Sequence, residues 1–314
     1  MLPKPSKVSR VITVLSGGVG AARLLGALSM VMEPSEITAV VNVGDDLVLH
    51  GLTICPDLDT ITYTLAGLNN DKLSWGLRGE SWRVMDALED LGGEAWFRLG
   101  DRDLATHLYR TQRLAEGATK SDVARELCEH WGVAVRLLPV TNDEVATMFD
   151  TEVGRLSFQE YFVRHRHGIE VSAISFDGAE RAVASPEVLD ALRTCSRIVI
   201  APSNPLISIE PILQVPGIRA ILEDRHADVV AVSPIIAGAA VKGPADRLLA
   251  ELGHDVSCVG VAHYYRGLIG TLVIDQADAE LATAVRERGI NVHVTTTIMS
   301  SPENARRLGE AVLS

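Results

Sequence analysis

Seven short runs of mostly apolar residues, rich in valine and isoleucine, recur along the chain, and longer amphipathic stretches separate them. The runs are Val11–Leu15, Ile37–Val41, Val133–Leu138, Arg197–Ala201, Val229–Val232, Thr271–Ile274 and Asn291–Val294. Near-continuous apolar runs lack the polar alternation of a half-exposed strand and suit strands covered on both faces. Such strands belong to parallel sheets with helices packed on each side. The pattern therefore predicts an α/β, Rossmann-like fold, with a mainly parallel sheet flanked by helices. After the second run the pattern changes, and residues 61–132 read as a mainly helical subdomain inserted into a core made of residues 1–60 and 133–314. Within the insertion, Asp101 can cap a helix carrying Leu104, Leu108 and Leu114, and Ser121 one carrying Val123, Leu127 and Trp131. Phe158–Ser175, crowded with aromatic, basic and β-branched residues, reads as one or two strands that extend or cover the sheet.

A chain of 314 residues can bury a large core without disulfides or a structural metal. Cys55, Cys128, Cys195 and Cys258 are widely spaced and form no CxxC pair, which makes them buried free thiols. The formal net charge of −12 works against nucleic-acid binding, which relies on basic patches. Met1–Arg10 carries basic residues but leads into a short apolar run and glycines, unlike a secretory leader. Nor does any apolar stretch reach the roughly 18 residues of a membrane span. A cytoplasmic protein with small-molecule partners is expected.

Three kinds of motif follow the runs. The first run enters Ser16-Gly17-Gly18-Val19-Gly20 and then an amphipathic helix, a strand–turn–helix whose exposed backbone N–H groups suit an anion. Arg23 stands where a dinucleotide fingerprint needs its third glycine, and the Gly-Lys-Ser/Thr ending of a P-loop is missing. The second run is followed by Asn42-Val43-Gly44-Asp45-Asp46 and, soon after, Pro56-Asp57-Leu58-Asp59-Thr60. These carboxylates lie just beyond a strand that should neighbour the first, where open α/β sheets bind ligands, and oxygen ligands of this kind suit Mg²⁺. Singly, Asp59 could instead cap a helix starting at Thr60, and Asp45 could close a turn. The fourth and fifth runs end in Pro202-Ser203-Asn204-Pro205 and Ser233-Pro234-Ile235-Ile236, whose polar groups could meet phosphate oxygens or a base in the same crevice.

Taken in order, these motifs, together with Leu99-Gly100-Asp101-Arg102-Asp103-Leu104-Ala105-Thr106-His107, resemble the 2-phospho-L-lactate transferases of deazaflavin coenzyme F-420 biosynthesis, including their phosphoenolpyruvate-transferring branch. The resemblance runs from Val11 to about Ala311. It implies a guanosine-diphosphate-linked donor carrying a phospho-acid, a riboflavin-like 5-deazaflavin acceptor, Mg²⁺ and a homodimer. Carried over residue by residue, it implies deazaflavin contacts at Asp59 and Arg98. It also implies nucleotide contacts at Gly17, Gly18, Gly20, Ser203, Asn204, Ser233 and Pro234. In the implied reaction the ribityl hydroxyl attacks the phosphorus bearing the small acid, which is phosphoenolpyruvate, phospholactate or phosphoglycerate, and guanosine monophosphate leaves. On this reading Asp46 and Asp59 hold Mg²⁺, and Asp45 or Asp57 orients the attacking hydroxyl or accepts its proton. Asp59→Asn should then cut turnover by orders of magnitude and leave the fold intact.

Two other readings are weighed. A related family of regulatory nucleotide-sugar binders shares the glycine loop but follows Asp-Asp with glycines and serines, where this chain has Leu47-Val48-Leu49-His50. A non-catalytic binder also has no use for an added carboxylate cluster. A nicotinamide-dependent oxidoreductase is disfavoured by the missing third glycine and by the lack of an acid at the end of the second strand.

Overall fold

The computed structural model describes residues 11–70 and 75–314; Met1–Arg10, read above for a leader, and residues 71–74 of the inserted segment lie outside the described residues. Each of the seven runs forms a strand of one sheet. They are β1 (Ile12–Ser16), β2 (Ile37–Val41), β3 (Arg136–Pro139), β4 (Arg197–Ile200), β5 (Val229–Val232), β6 (Thr271–Asp275) and β7 (Asn291–Thr295). The strand order is β7-β6-β5-β4-β1-β2-β3, and every pairing is parallel. From β1 the chain builds outward to β3 on one side and, starting again at β4, to β7 on the other. The order thus reverses between β1 and β4, and it is at the carboxyl ends of strands beside such a reversal that open α/β sheets place a ligand crevice.

Side chains alternate across the pleat into two cores. Leu15, Val40, Ile198 and Ile200 face one layer, and Val14, Val41 and Val199 face the other. Each such side chain is almost wholly buried and contributes roughly 1.5–3 kcal/mol. In the second layer, helix α1 (Gly18–Leu28) lays Ala21, Leu24, Leu25 and Leu28 on the sheet beside the C-terminal helix Pro302–Leu313. That helix comes close because Gly309 has no side chain to meet the carbonyl of Ala27.

Among the described residues, four helices lie between β2 and β3: α2 (Pro56–Leu65), α3 (Arg83–Asp90), α4 (Asp101–Ala115) and α5 (Lys120–His130). Leu58 and Ile61 of α2 and Ala124 and Cys128 of α5 enter the same core as α1, so the inserted segment is rooted in the main body. The ring of Trp131 meets Tyr63 edge-on at 5.4 Å and ties α5 to α2.

The caps differ from those expected. Asp101 opens α4, but its carboxylate accepts from the N–H groups of Arg83 and Val84 and so caps α3. Helix α5 is capped by Thr119 and Asp122 in a reciprocal box, two residues earlier than a Ser121 cap would allow. Phe158–Ser175 also divides differently. A π-helical turn spans Glu160–Arg164, and the strands Ala146–Thr151, Gly154–Ser157 and Val171–Asp177 form a separate antiparallel sheet. This unit covers the crevice side of the main sheet rather than extending it: the Gln159 side chain donates to the carbonyl of Asp45. All four cysteines are buried and unpaired. Among the described residues no single helix is long and apolar enough to cross a membrane.

Candidate functional site

The crevice begins at the turn between β1 and α1. Gly18 has φ +68°, a conformation that a side chain disfavours, so the turn from β1 into α1 calls for a glycine there. At Gly20 a Cβ would lie 2.3 Å from the carbonyl oxygen of Pro202, so the loop after β4 can close against α1 only at a glycine. Ser203 fastens that approach by donating its hydroxyl to the carbonyl of Gly17 at 2.7 Å. The anion expected at the head of α1 is supplied here by the protein: Gly18 N–H donates to Asp57 Oδ1 at 2.7 Å.

Asp57 belongs to a small carboxylate group at the end of β2. The side-chain nitrogen of Asn42 donates to Asp45 Oδ1 and to Asp57 Oδ2, both at 2.9 Å, while its oxygen accepts from Gly44 N–H at 2.8 Å. One amide thus holds two buried carboxylates side by side. Burial, reinforced by the charge of Asp57, raises the pKa of Asp45 well above the usual carboxylate range. Burial also raises Asp57, to about 6, against the opposing hydrogen bonds from Asn42 and Gly18. A pair with these affinities can hold a proton or release it near neutrality.

Next to this pair, Asp46 Oδ2 accepts from Lys120 Nζ at 2.9 Å. Burial raises the Asp46 pKa, and the Lys120 charge only partly offsets it. Deeper, under α4, Arg110 grips both oxygens of Asp59 in a bidentate ion pair. Burial alone would lower the Arg110 pKa, but Asp59 outweighs it and the guanidinium stays firmly charged. His107 sits beside them, with Nδ1 3.2 Å from Arg110 and Nε2 3.3 Å from Asp103 Oδ2, the latter misaligned for a hydrogen bond. Tyr63 donates to Asp103 at 2.6 Å. Burial by itself would raise Asp103; the His107 ring, the Tyr63 hydroxyl and Arg110 outweigh it and bring the carboxyl below its usual range. Asp59, Asp103 and His107 gather ligand atoms within 4.8 Å of one another, but the Arg110 guanidinium already supplies the positive charge there.

The sequence profile of 2-phospho-L-lactate transferase CofD matches residues 12–309. The chain belongs to this transferase family. A phosphoenolpyruvate transferase of Streptomyces coelicolor is 40% identical over 309 residues, covering 96% of this chain and 97% of that protein. One of Mycolicibacterium smegmatis is 40% identical over 308 residues, with 93% and 94% covered. Among solved structures, a UPF0052-family protein of Bacillus halodurans superposes with a TM-score of 0.61 at 18% identity, covering 96% of this chain and 98% of that one, which establishes the shared fold.

The fold of this transferase gathers Gly17, Gly18, Asp45 and Asp57 into one cluster through Asn42 and the head of α1. Ser203 is tied to the same turn. Asn204 accepts from Leu206 N–H and leaves its Nδ2 buried without a partner, a donor that a ligand oxygen would satisfy. Ser233 spends its hydroxyl on Ile235 within its own turn, and Pro234 is buried beside it. Asp59 and Arg98 are not joined. Asp59 is buried against Arg110, whereas Arg98 is half-exposed, paired with Asp86 and Glu89 and laid over the Trp82 ring at 5.6 Å. Trp75 and Trp82 meet each other edge-on at 5.8 Å. His165 and His167 fall in the turn after the π-helix, not in a strand. Sequence reasoning missed Asn42, Arg110 and Lys120 as site residues. Asn42 stood inside a recognised motif, while the two cations carried no local signal because they arrive from α4 and α5.

Proposed function

We propose that this transferase moves a phospho-acid, phosphoenolpyruvate or 2-phospholactate, from a guanosine-diphosphate-linked donor to the ribityl hydroxyl of 7,8-didemethyl-8-hydroxy-5-deazariboflavin. Its relatives' names favour phosphoenolpyruvate as the acid. The observation that carries the reading is the Asn42-bridged pair Asp45–Asp57, set at the head of α1 where the sheet order reverses. The hydroxyl oxygen forms a bond to the donor's acid-bearing phosphorus, the bond from that phosphorus to guanosine monophosphate breaks, and the hydroxyl proton passes to the carboxylate pair. Asp57 at about 6 is basic enough to take that proton and acidic enough to return it to water.

The turn at Gly17–Gly20, Ser203 and the free Nδ2 of Asn204 offer donors for the nucleotide's oxygens. A Mg²⁺ ion suits this donor set, because Asp45, Asp46 and Asp57 present hard oxygens whose negative charge burial disfavours, raising each pKa. When bound, it neutralises charge on the donor diphosphate. Of the two metal positions expected from the sequence, Asp46 is paired through one oxygen with Lys120, while Asp59 would have to leave a bidentate Arg110, so Asp46 fits this role more readily. Working inside a cell as a homodimer completes the proposal.

The test follows deazaflavin fluorescence on titration with the full-length protein, with and without guanosine diphosphate and Mg²⁺, and then mass analysis of products formed with each donor. Saturable binding and a phosphodiester product with release of guanosine monophosphate are expected. Retained nucleotide binding with no deazaflavin binding under any condition would replace the transfer reading with that of a nucleotide sensor.

A further inference from the structure

Helix α5 starts with a lysine in a place where a cation is disfavoured. Lys120 is its first helical residue, next to the Thr119 cap, where the partial positive charge of the helix end repels an ammonium. The local need is for an acid, and Asp122 already meets it in the capping box. Lys120 is also nearly buried: its side chain is 10% exposed and that of its partner Asp46 is 11% exposed. Nζ donates to Asp46 Oδ2 at 2.9 Å and to the carbonyl of Asp143 at 3.2 Å. An ammonium that the helix end repels and burial disfavours is held here by Asp46, a partner outside α5 itself.

The second cation of the crevice is held differently. Arg110 engages both oxygens of Asp59 through a planar fork, which fixes that carboxylate. Lys120 is a point charge on a flexible stem, bonded to a single oxygen of Asp46. It is the positive charge that meets this group of acids, through Asp46.

We propose that Lys120 is an exchangeable counter-cation that holds Asp46 in the empty crevice and must yield that oxygen when a divalent cation loads. This rests on the reading that Mg²⁺ uses Asp46. Lys120 is thus a positioning residue: it keeps the acidic crevice formed without metal, and it sets the divalent-ion concentration at which the site fills. The ammonium displaced from Asp46 stays tethered at the rim of the crevice by the backbone of α5.

The experiment uses metal-free full-length protein and Mn²⁺ as the probe, with free Mn²⁺ read by electron paramagnetic resonance and unfolding followed in parallel. Three variants are compared with the natural chain: Lys120→Met, Lys120→Arg and Asp46→Asn. Lys120→Met should bind Mn²⁺ more tightly by about tenfold, because nothing competes for Asp46. Its metal-free Tm should fall, since a buried carboxylate is left unpaired, and Mn²⁺ should raise that Tm by more than it raises the natural protein's. Lys120→Arg should bind Mn²⁺ no more tightly than the natural chain. Unchanged or weaker Mn²⁺ binding in Lys120→Met, with binding lost in Asp46→Asn, would overturn the exchange role and leave the metal reading standing. Mn²⁺ binding that Asp46→Asn does not alter would overturn both.

Discussion

At Asp59 the chemistry of one side chain is inseparable from that of its partner. Read alone, Asp59 was a functional carboxylate that Asn could replace without structural cost, but its two oxygens neutralise a guanidinium that is 3% exposed. Asp59→Asn removes the charge and leaves Arg110 buried without its direct ion-pair partner, a change that costs roughly 3–5 kcal/mol. The expected outcome is a large loss of stability along with the loss of turnover, measured by denaturant unfolding. The double variant Asp59→Asn/Arg110→Met should recover much of that stability and none of the activity; a double variant no more stable than Asp59→Asn would break the argument. Asp57→Asn is a different case, because its neighbours are the Gly18 N–H and the Asn42 amide, with no buried cation to orphan. It should retain its fold and lose about 10²–10⁴-fold in kcat, the range for removing a general base. Only half of this was legible in the sequence. Asp57 and Asp59 declared themselves by their motif, but the partner that decides the behaviour of Asp59 lies 51 residues away on another helix.

Among the elements, the seven strands of the sheet were legible because burial on both faces imposes one composition on each, and all seven runs became strands. The inserted helices were legible in kind but not in their caps. A capping side chain is chosen by tertiary proximity: Asp101, at the start of α4, reaches back to the N–H groups of Arg83 and Val84 and to the Ser81 hydroxyl. Nothing in sequence spacing announces such a bond between one helix and the start of another. The π-helical turn Glu160–Arg164 was hidden for a related reason. Its aromatic and β-branched residues have strand propensity, but Tyr161 is drawn into a stack on Phe149 with centroids 4.2 Å apart, and tertiary packing overrides propensity. The cap makes a prediction for its own element. Asp101→Ala should speed amide hydrogen exchange across Arg83–Asp90 and barely change the global Tm, since α3 buries only Met85. Unchanged exchange in α3 would show that its start is held by other contacts.

For the whole molecule, the carboxylate pair at the head of the sheet dictates a pH dependence. Asp45 is raised well above the usual range by burial and by the charge of Asp57, and Asp57 is raised by burial to about 6. A carboxyl with a higher pKa folded than unfolded favours the folded state only while it carries its proton. Its contribution is therefore complete below about pH 4, the range of a free aspartate, and is lost as the pH rises through about 6. Asp103 and Asp275 are lowered and act in the opposite sense, adding stability that is lost only in stronger acid. Because they titrate alike in the natural chain and in Asp45→Asn, the difference between the two curves isolates the pair. In metal-free buffer, Asp45→Asn should match the natural chain near pH 4 and become the more stable of the two as the pH rises towards 7, as Asn can still accept the bond from Asn42. Adding Mg²⁺ should close that gap, because a divalent cation stabilises two ionised carboxylates far more than one carboxylate and one amide. Parallel curves from pH 4 to pH 7 would mean that the pair does not share its charge as the geometry requires. A gap that persists in saturating Mg²⁺ would mean that the ion does not bind at this pair. The cost of burying two ionised acids side by side is one that a cation bound between them would offset.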